Sequence, residues 1–408
     1  MTETTRISAV GRLGDGLAET ASGRMHVAFA LPGELVEIER EGERGRLQKV
    51  AEPSAERVAP VCRHFGVCGG CALQHWEARP YLSWKRELVV DALVRAGVET
   101  FVNDTVDAHG AGRIRAVFHS GRGRNPSALG FAQRRSHEIV ELEECPVLAK
   151  PLEQALPVAR ELAKILAATG KPADLHFTLA REGIDIDIRG IGKLSPSVEK
   201  KLVSFTAARG IARITLHGDT VAQLAPPTIR IGKAIVSLPP GPFLQATEAG
   251  ETFLAQKVVE AAQGAKSAAD LFCGLGTFAL RLAEQVKVSA FDSHEAAVKA
   301  LQVAAKSPGL KPVTTATRDL FRWPLTPDEL KAFDFVALDP PRQGAERQVY
   351  ELAKAKLKRI AYVSCDADTF ARDAKTLCDG GFKLAEVTPV DQFRYSAHVE
   401  LVGMFVRK

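Results

Sequence analysis

The sequence predicts an α/β protein with a doubly wound parallel sheet in its C-terminal part, an α+β central region and a small N-terminal β-barrel. Three observations predict this fold class. From about residue 250, apolar runs typical of buried strands alternate with helical runs. The first 55 residues hold short β-prone segments between glycine-rich turns, and the middle of the chain mixes helical and alternating patterns. We therefore divide the chain into residues 1–55, 56–245 and 246–408.

The composition is that of an ordinary globular protein. Of the 408 residues, 46% are apolar and 25% are charged, which excludes a disordered chain or a disulfide-stapled miniature. No stretch approaches roughly 18 consecutive apolar residues, so a membrane span is not expected. The N-terminus lacks the apolar core of a signal peptide, and we expect a cytosolic protein. The net charge of +5 permits a nucleic-acid partner without requiring one.

The N-terminal region has the texture of a small barrel of the kind that often holds nucleic acid. Its β-prone segments are 7–10, 25–29, 35–39 and 46–50. The first 60 residues carry eight Lys or Arg and ten Asp or Glu, a net charge of −2. This charge does not support phosphate binding by the barrel.

The elements that follow are predicted from apolar periodicity. We expect helices over 82–96 and 151–168, strands around a turn within 113–131, and an alternating strand at 184–188. The apolar strands of the parallel sheet are predicted at 268–271, 288–291, 335–338 and 360–363.

An acid and a glycine-rich turn, Asp-Leu-Phe-Cys-Gly-Leu-Gly at 270–276, join the first of these strands to a predicted helix over 278–284. Ligands of doubly wound sheets bind above the carboxyl ends of the strands. The turn is neither G-x-G-x-x-G nor a P-loop, so a phosphate cradle is not expected. Further acids end the next strands, and they are Asp292, Asp319 and Asp339. The series suits an adenosine that carries a cationic methionine, S-adenosylmethionine, with Asp292 on the ribose hydroxyls. The alternative is a set of acids that cap helices and turns.

Cys365 lies between the predicted strand at 360–363 and a predicted helix. A thiol in that position lies near helix N–H groups, which favour the nucleophilic thiolate. A structural cysteine more often lies inside a strand as an apolar filler. From its position alone, Cys365 is either a nucleophile or a structural residue.

Four other cysteines are spaced like a ligand set: Cys62, Cys68, Cys71 and Cys145. Cytosolic thiols stay reduced, so this pattern indicates a metal site rather than disulfides. From spacing alone, zinc and a [4Fe–4S] cluster both remain open, because both accept four cysteines. The Cys145-Pro146 pair favours iron–sulfur, and four unrelated buried cysteines are the remaining alternative.

Five motifs resemble those of the RNA 5-methyluridine methyltransferases. They are 241–245 (Gly-Pro-Phe-Leu-Gln), 270–278 (Asp-Leu-Phe-Cys-Gly-Leu-Gly-Thr-Phe), 339–342 (Asp-Pro-Pro-Arg), 362–366 (Tyr-Val-Ser-Cys-Asp) and 398–400 (His-Val-Glu). Residues 1–55 are similar to a TRAM domain, and residues 68–75 resemble the iron–sulfur segment of the family. The resemblance spans the chain in order, and this combination most resembles the branch that acts on 23S ribosomal RNA.

The resemblance implies a Rossmann-like methyltransferase domain in which Cys365 is the nucleophile and Glu400 the general base. Addition of a thiolate to carbon 6 of uracil makes carbon 5 nucleophilic, and a base must then remove the proton on carbon 5. The rival nucleophile is Cys273, and Cys378 is expected to be filler. The resemblance also implies S-adenosylmethionine as methyl donor and a [4Fe–4S] cluster on the four spaced cysteines. The implied donor-binding residues are Gln245, Phe272, Thr277, Asp292, Asp319 and Asp339. Asp339 is also expected to reach the uracil.

Three residues depart from the family, which usually has asparagine at these positions: Thr247, Thr277 and Asp366. A threonine keeps a hydrogen-bonding hydroxyl but loses the paired donor and acceptor of an amide. The carboxylate of Asp366 directly follows the expected nucleophile, where a negative charge raises the pKa of a thiol.

Residues 111–137 are the expected RNA-contact segment, because they hold basic residues and no Asp or Glu. The basic residues are Arg113, Arg115, His119, Arg122, Arg124, Arg134, Arg135 and His137. Arginine forks suit phosphates, and the target uridine is expected to be flipped out or single-stranded. A solvated face is the alternative. For the whole chain, the alternatives are a transfer-RNA substrate and a non-catalytic iron–sulfur RNA-binding protein, and we expect a monomer.

Overall fold

The computed structural model describes residues 2–20, 23–121 and 125–407. Its N-terminal unit is a barrel-like sheet with the strand order β1-β5-β6-β4-β3-β2. The strands are β1 (Thr2–Arg6), β2 (Ala9–Val10), β3 (Asp15–Thr20), β4 (Gly23–Ala28), β5 (Leu35–Glu41) and β6 (Arg44–Glu52). Inward-facing side chains such as Met25, Val27 and Ile38 are fully buried. The strand predicted at 7–10 shrinks to β2, because Ile7 and Ser8 form the crossing where pairing changes from β5 to β3.

One helix and two short strands follow: α1 (Ala78–Arg95), β7 (Phe101–Val102) and β8 (Val106–Asp107). The helix confirms the apolar pattern predicted at 82–96. Its buried residues Val89, Ala92 and Leu93 pack in the same core as the last strands of the chain.

The central unit is built on a sheet with the order β11-β10-β9-β12-β13-β14-β15. Its strands are β9 (Arg115–Ser120), β10 (Leu129–Ala132), β11 (Ile139–Glu141), β12 (Ala173–Ala180), β13 (Gly183–Arg189), β14 (Arg213–Leu216) and β15 (Asp219–Gln223). Its helices are α2 (Lys150–Gln154), α3 (Leu156–Ala167) and α4 (Pro196–Arg209). The helix predicted at 151–168 is broken at Ala155, because Pro157 has no N–H to continue the preceding turn.

The C-terminal unit alternates strands and helices, as predicted. Its elements are β16 (Thr228–Ile231), β17 (Ala234–Ser237), α5 (Glu248–Ala261), β18 (Ser267–Leu271), α6 (Ala279–Leu282), β19 (Lys287–Asp292), α7 (Glu295–Ala304), β20 (Val313–Thr317), α8 (Pro327–Leu330), β21 (Phe335–Leu338), α9 (Glu346–Lys354), β22 (Arg359–Ser364), α10 (Ala367–Asp379), β23 (Phe382–Asp391) and β24 (Glu400–Arg407). The sheet order is β20-β19-β18-β21-β22-β24-β23-β7, with β8 also on β23. Strands β18 to β22 are parallel, β24 is antiparallel to its neighbours, and apolar cores cover both faces.

The division predicted at residue 245/246 differs from how the sheets divide. Strands β7 and β8, and helix α1 with them, belong to the C-terminal sheet, and the hairpin β16–β17 packs against α7. Apolar periodicity predicted the helix but not these short strands, and it carries no information on which sheet an element joins. No helix within the described ranges is long and apolar enough to cross a membrane.

Candidate active site

The carboxyl ends of the parallel strands gather the predicted site residues at one edge of the C-terminal sheet. Asp292 is the last residue of β19, and Asp319 lies two residues beyond β20. Asp339 and Cys365 directly follow β21 and β22, which are neighbours in the sheet. Four predicted residues from distant parts of the sequence therefore share one edge.

Glu400 reaches the same edge because β24 runs against β22. The last pair in their register is Ser364 with Leu401, so Cys365 and Glu400 are the next residues on the two strands. Burial and the charge of Glu400 are the two largest influences that raise the pKa of Cys365. The structure thus brings together the expected nucleophile and the expected base.

The glycine-rich loop after β18 is shaped by two positions with a positive φ. Phe272 has a φ of 63°, which is rare for a residue with a side chain. Gly276 has a φ of 90°, and a Cβ there would lie 2.4 Å from Leu301 Cδ1 of α7. Gly276 therefore permits close packing of loop against helix, and Thr277 lies half-buried beside it.

The strand-end acids also support the loops around them. Asp292 accepts N–H hydrogen bonds from Gly274 at 2.9 Å and His294 at 2.8 Å. Asp319 accepts from the backbone of Phe321 at 3.0 Å, and the Phe321 ring lies 5.2 Å from that of Phe272. Each oxygen of Asp292 accepts one N–H and keeps a second lone pair for a ligand. Asp319 Oδ1 also accepts the N–H of Arg322 at 3.2 Å, so its remaining capacity lies on Oδ2, which the exposed Arg322 guanidinium approaches at 3.4 Å.

Asp270 has the capping function that we considered as an alternative. It is fully buried, and its Oδ2 accepts the N–H of Ala279 at 2.7 Å where α6 begins. Burial raises the pKa of Asp270 to about 8, so its carboxyl is largely protonated at neutral pH.

Gln245 is joined to Glu400 through a residue that sequence reasoning missed. The Nε2 of Gln392 donates to Gln245 Oε1 and to Glu400 Oε2, both at 2.7 Å. Gln245 Nε2 in turn donates to Asp339 Oδ2 at 3.3 Å. Gln392 lies between β23 and β24, and no chemical pattern in its sequence neighbourhood marks it.

Both acids of this chain of contacts hold protons more tightly than usual. Burial raises the pKa of Glu400 to about 7, against the hydrogen bond from Gln392 and the charges of Arg115 and Arg342. Burial and the charge of Glu400 raise the pKa of Asp339 well above its usual range. Ionised Glu400 therefore opposes ionisation of Asp339.

The expectation that helix N–H groups would favour a thiolate at Cys365 is wrong, because burial and the nearby acids outweigh them. Burial raises the pKa of Cys365 to about 11, with Glu400 and Asp339 adding to the shift and Arg342 opposing it. Asp366, expected to be the disturbing charge, caps helix α10 by accepting the N–H of Thr369 at 3.0 Å. Thr247 likewise caps α5 and donates to the carbonyl oxygen of Ala108 at 2.6 Å.

Two arginines complete the charge balance of the site. Arg342, in the Asp-Pro-Pro-Arg motif, opposes the raised pKa values of Cys365 and Glu400. Arg115 reaches Glu400 from the central sheet, and its guanidinium lies 4.9 Å from the ring centre of the exposed Phe243. The motif could have identified Arg342, whereas the role of Arg115 beside Glu400 depends on how the two sheets meet.

The four spaced cysteines line one cavity of about 800 Å³ between the central sheet and the segment after the barrel. Burial raises the pKa of Cys145 to about 12 and that of Cys71 to about 11, and the other thiols add to both shifts. Cys62 and Cys68 line the same cavity. Within the described part of the chain, no three His, Cys, Asp or Glu side chains form a group that could hold a metal ion.

The expected RNA-contact segment divides into two arginine pairs, while Arg122 and Arg124 lie outside the described residues. Arg134 and Arg135 both ion-pair with the buried carboxylate of Asp15, so they join the central unit to the barrel. His119 pairs with Asp174, and His137 is exposed.

The second pair, Arg113 and Arg115, faces the cavity. The Nε atom of each is buried and has no hydrogen-bond partner among the residues that the structure describes. Unsatisfied buried donors of this kind suit an incoming anion or carbonyl group.

Comparisons with known proteins agree with this arrangement. A family model described as tRNA (uracil-5-)-methyltransferase matches residues 212–408. A protein of Caulobacter vibrioides, described as an uncharacterized RNA methyltransferase, is 46% identical over 98% of this chain and 99% of its own. The 23S rRNA (uracil(1939)-C(5))-methyltransferase RlmD of Pectobacterium atrosepticum is 28% identical over 99% of this chain and 93% of its own.

The fold also matches a solved structure over its full length. The Pyrococcus abyssi tRNA (uracil-54, C5)-methyltransferase, determined in complex with S-adenosyl-L-homocysteine, has a TM-score of 0.75 and 24% sequence identity. The match covers 99% of both chains, so the arrangement of barrel-like, central and C-terminal units is common to the two proteins.

Proposed function

The chain belongs to the RNA uracil methyltransferase family, and we propose that it methylates carbon 5 of a uridine in 23S rRNA through a covalent bond between Cys365 and the uracil. The observation that carries this proposal is the register of β22 and β24, which makes Cys365 and Glu400 neighbours at the carboxyl edge of the sheet. Methyl transfer to carbon 5 requires a nucleophile that adds to carbon 6 and a base that removes the proton on carbon 5.

We propose that S-adenosylmethionine binds along this edge and is held by Gln245, Phe272, Thr277, Asp292, Asp319 and Asp339. The charge of the site supports a cationic ligand. Burial, the charge of Glu400 and the charge of Asp292 raise the pKa of Asp339. A positive charge nearby would relieve this repulsion. When bound, S-adenosylmethionine supplies a methyl group on a positively charged sulfur.

In the first step, the Cys365 thiol releases its proton to solvent and its sulfur bonds to carbon 6 of uracil. The electron pair of the carbon 5–carbon 6 double bond then forms an enolate shared by carbon 5 and oxygen 4. Arg342 favours this step, because its charge lowers the pKa of Cys365. Burial and the charge of Glu400 raise the pKa of Asp339, which favours its protonated form, and a protonated Asp339 would donate a hydrogen bond to a uracil oxygen.

The electron pair of the enolate then forms the bond from carbon 5 to the methyl group, the bond from that methyl group to the donor sulfur breaks with its electrons remaining on sulfur, and neutral S-adenosylhomocysteine leaves. Glu400 next removes the remaining proton from carbon 5. The electron pair of the broken C–H bond restores the carbon 5–carbon 6 double bond, the carbon 6–sulfur bond breaks, and the sulfur leaves as a thiolate. With a pKa of about 7, Glu400 is substantially ionised at neutral pH and can accept the proton.

We propose further that Cys62, Cys68, Cys71 and Cys145 hold a [4Fe–4S] cluster. Four thiols line one cavity, and thiolates are the donors that such a cluster takes. The described side chains are not grouped as a metal site, so cluster binding would have to draw the four thiols together. The cluster would join residues 62–71 to Cys145, giving it a structural or RNA-positioning function. Equal amounts of iron and acid-labile sulfide in a brown protein would support this, and a colourless protein with zinc would contradict it.

Arg113 and Arg115 are the proposed RNA contacts, because their buried Nε atoms face the same cavity. We propose that residues 1–55 act as a TRAM domain that positions the RNA without a strong phosphate contact of its own. The choice of ribosomal RNA is supported by the name of the Pectobacterium atrosepticum relative.

The test is covalent trapping on RNA that contains 5-fluorouridine. Fluorine replaces the hydrogen that Glu400 would remove, so the adduct cannot be resolved. We expect a 23S rRNA fragment to become attached to the peptide that contains Cys365, only when S-adenosylmethionine is present. Cys378→Ala is the matched control and should trap normally, whereas Cys365→Ala should not trap. Trapping of transfer RNA alone would replace the proposed substrate, and no trapping with either RNA would refute the mechanism.

A further inference from the structure

Gln392 makes contacts that the proposed roles of Gln245 and Glu400 do not explain. Its side chain is fully buried, and its three hydrogen bonds reach Gln245, Glu400 and the backbone of Ala246. It therefore touches one expected donor-binding residue and the expected base at the same time.

The orientation of this amide is determined by the backbone. The N–H of Ala246 donates to Gln392 Oε1 at 2.9 Å, so the oxygen must face Ala246. The NH₂ group is left to face the other two partners, and it can only donate. Gln245 must consequently present its own oxygen to Gln392, which turns its NH₂ towards Asp339.

The surrounding structure is built closely around this side chain. A Cβ at Gly250, in the first turn of α5, would lie 2.8 Å from Gln392 Oε1 and 2.9 Å from its Cβ. Helix α5 can approach Gln392 only because residue 250 has no side chain. Close packing of this kind prevents the amide from rotating away from its partners.

The effect on Glu400 is specific to one oxygen and one charge state. Its Oε2 accepts from Gln392, which leaves Oε1 to receive the proton from carbon 5. An N–H donor stabilises a carboxylate more than a carboxylic acid, and this bond opposes the rise in the pKa of Glu400 caused by burial. The other charged or titratable groups that influence or respond to Glu400 are Asp339, Cys365, Arg115 and Arg342.

We propose that Gln392 is a positioning residue that orients the base Glu400 and the donor-binding Gln245 through one buried amide. This inference rests on the proposed function, since it assigns Gln392 to the step in which Glu400 removes the proton. Gln392 touches neither the uracil nor the methyl donor in this assignment; it acts through its two neighbours.

The experiment measures the release of methylated RNA in a single turnover as a function of pH. In Gln392→Met, which has similar length and no donor, we expect the acidic limb of the profile to move up by about one pH unit. Below that limb, release should slow about ten-fold, the change that loss of one hydrogen bond to a charged group supports. Gln392→Glu, which has the same size, should move the limb in the same direction, and it serves if the methionine variant does not fold.

Gln348→Met is the matched control. Gln348 is also a buried glutamine, but among the described residues its amide bonds only to the backbone of Leu325. Its substitution should leave the pH profile unchanged. An unchanged profile in a folded Gln392 variant, or an equal shift in the Gln348 control, would overturn the inference. Absence of a trapped 5-fluorouridine adduct in the unsubstituted protein would instead refute the proposed function, so the two failures are distinguishable.

Discussion

Cys365 is half-buried in the C-terminal unit and Cys145 is buried in the central unit, and the pKa values of their thiols are raised to about 11 and about 12. Burial is the largest cause in both, but the next causes differ. For Cys365 they are the carboxylates of Glu400 and Asp339, whereas for Cys145 they are the other cysteines of its cavity. A thiol among carboxylates is suited to a reaction in which protons move, and a thiol among thiols is suited to sharing a metal group.

The largest effect should come from removing the sulfur at the sheet edge. Cys365→Ser is expected to reduce methyl transfer to the background rate, because a hydroxyl does not add to uracil as a thiolate does. Its iron content should equal that of the unsubstituted protein. Methyl incorporation and metal analysis check the two halves of this prediction. Cys378→Ser is the control and should change neither quantity; loss of iron from Cys365→Ser would break the distinction between the two sites.

The converse substitution, Cys145→Ser, should act on the cavity. We expect loss of iron and a lower Tm, because a metal group held by four cysteines contributes directly to folding free energy. The rate of methyl transfer should fall only in proportion to the loss of folded, RNA-bound protein. Metal analysis and thermal unfolding test this, and unchanged iron and Tm would exclude Cys145 as a ligand.

A smaller effect is expected when the base is changed but the nucleophile is kept. Glu400→Gln should form the adduct and release it about 10²- to 10⁴-fold more slowly, the usual contribution of a general base. RNA that remains attached after denaturation on a gel measures this. Glu386→Gln is the matched control. Glu386 lies on the neighbouring strand β23, and its carboxylate accepts a hydrogen bond from Asn103. Normal release by Glu400→Gln would mean that another group removes the proton.

The smallest effect concerns stability. Burial raises the pKa of Asp270 to about 8 from a usual value of 3.8, so the folded protein keeps a proton that the unfolded chain releases. The stability from this group is present at low pH and is lost as the pH rises towards 8. Asp270→Asn cannot ionise, so its Tm should exceed that of the unsubstituted protein by about 2–4 °C at pH 8, with a smaller gain at pH 5. An equal gain at both pH values would contradict this assignment.

The sequence predicted the strands of the C-terminal sheet, and with them the edge where Asp292, Asp319, Asp339 and Cys365 meet. These positions were accessible because strand ends are local features. Gln392 and the influence of Arg115 on Glu400 were not accessible, since both depend on contacts between units distant in sequence. The high pKa of Cys365 was also missed, because helix N–H groups were considered without the buried acids that share the edge.

The pairing of α1, β7 and β8 with the end of the chain has a consequence for biosynthesis. Lys85 on α1 bonds to Asp391, which lies 306 residues later in the sequence. At typical translation speeds, roughly 15 to 60 s separate the synthesis of the two residues. During that interval Tyr81 and Trp84 of α1 can already pack with Leu31, Leu73 and Trp76. In contrast, Val89, Ala92 and Leu93 lack the strands of the C-terminal sheet that cover them. A fragment that begins at residue 246 would expose the complementary face of the sheet, and we expect such a fragment to aggregate.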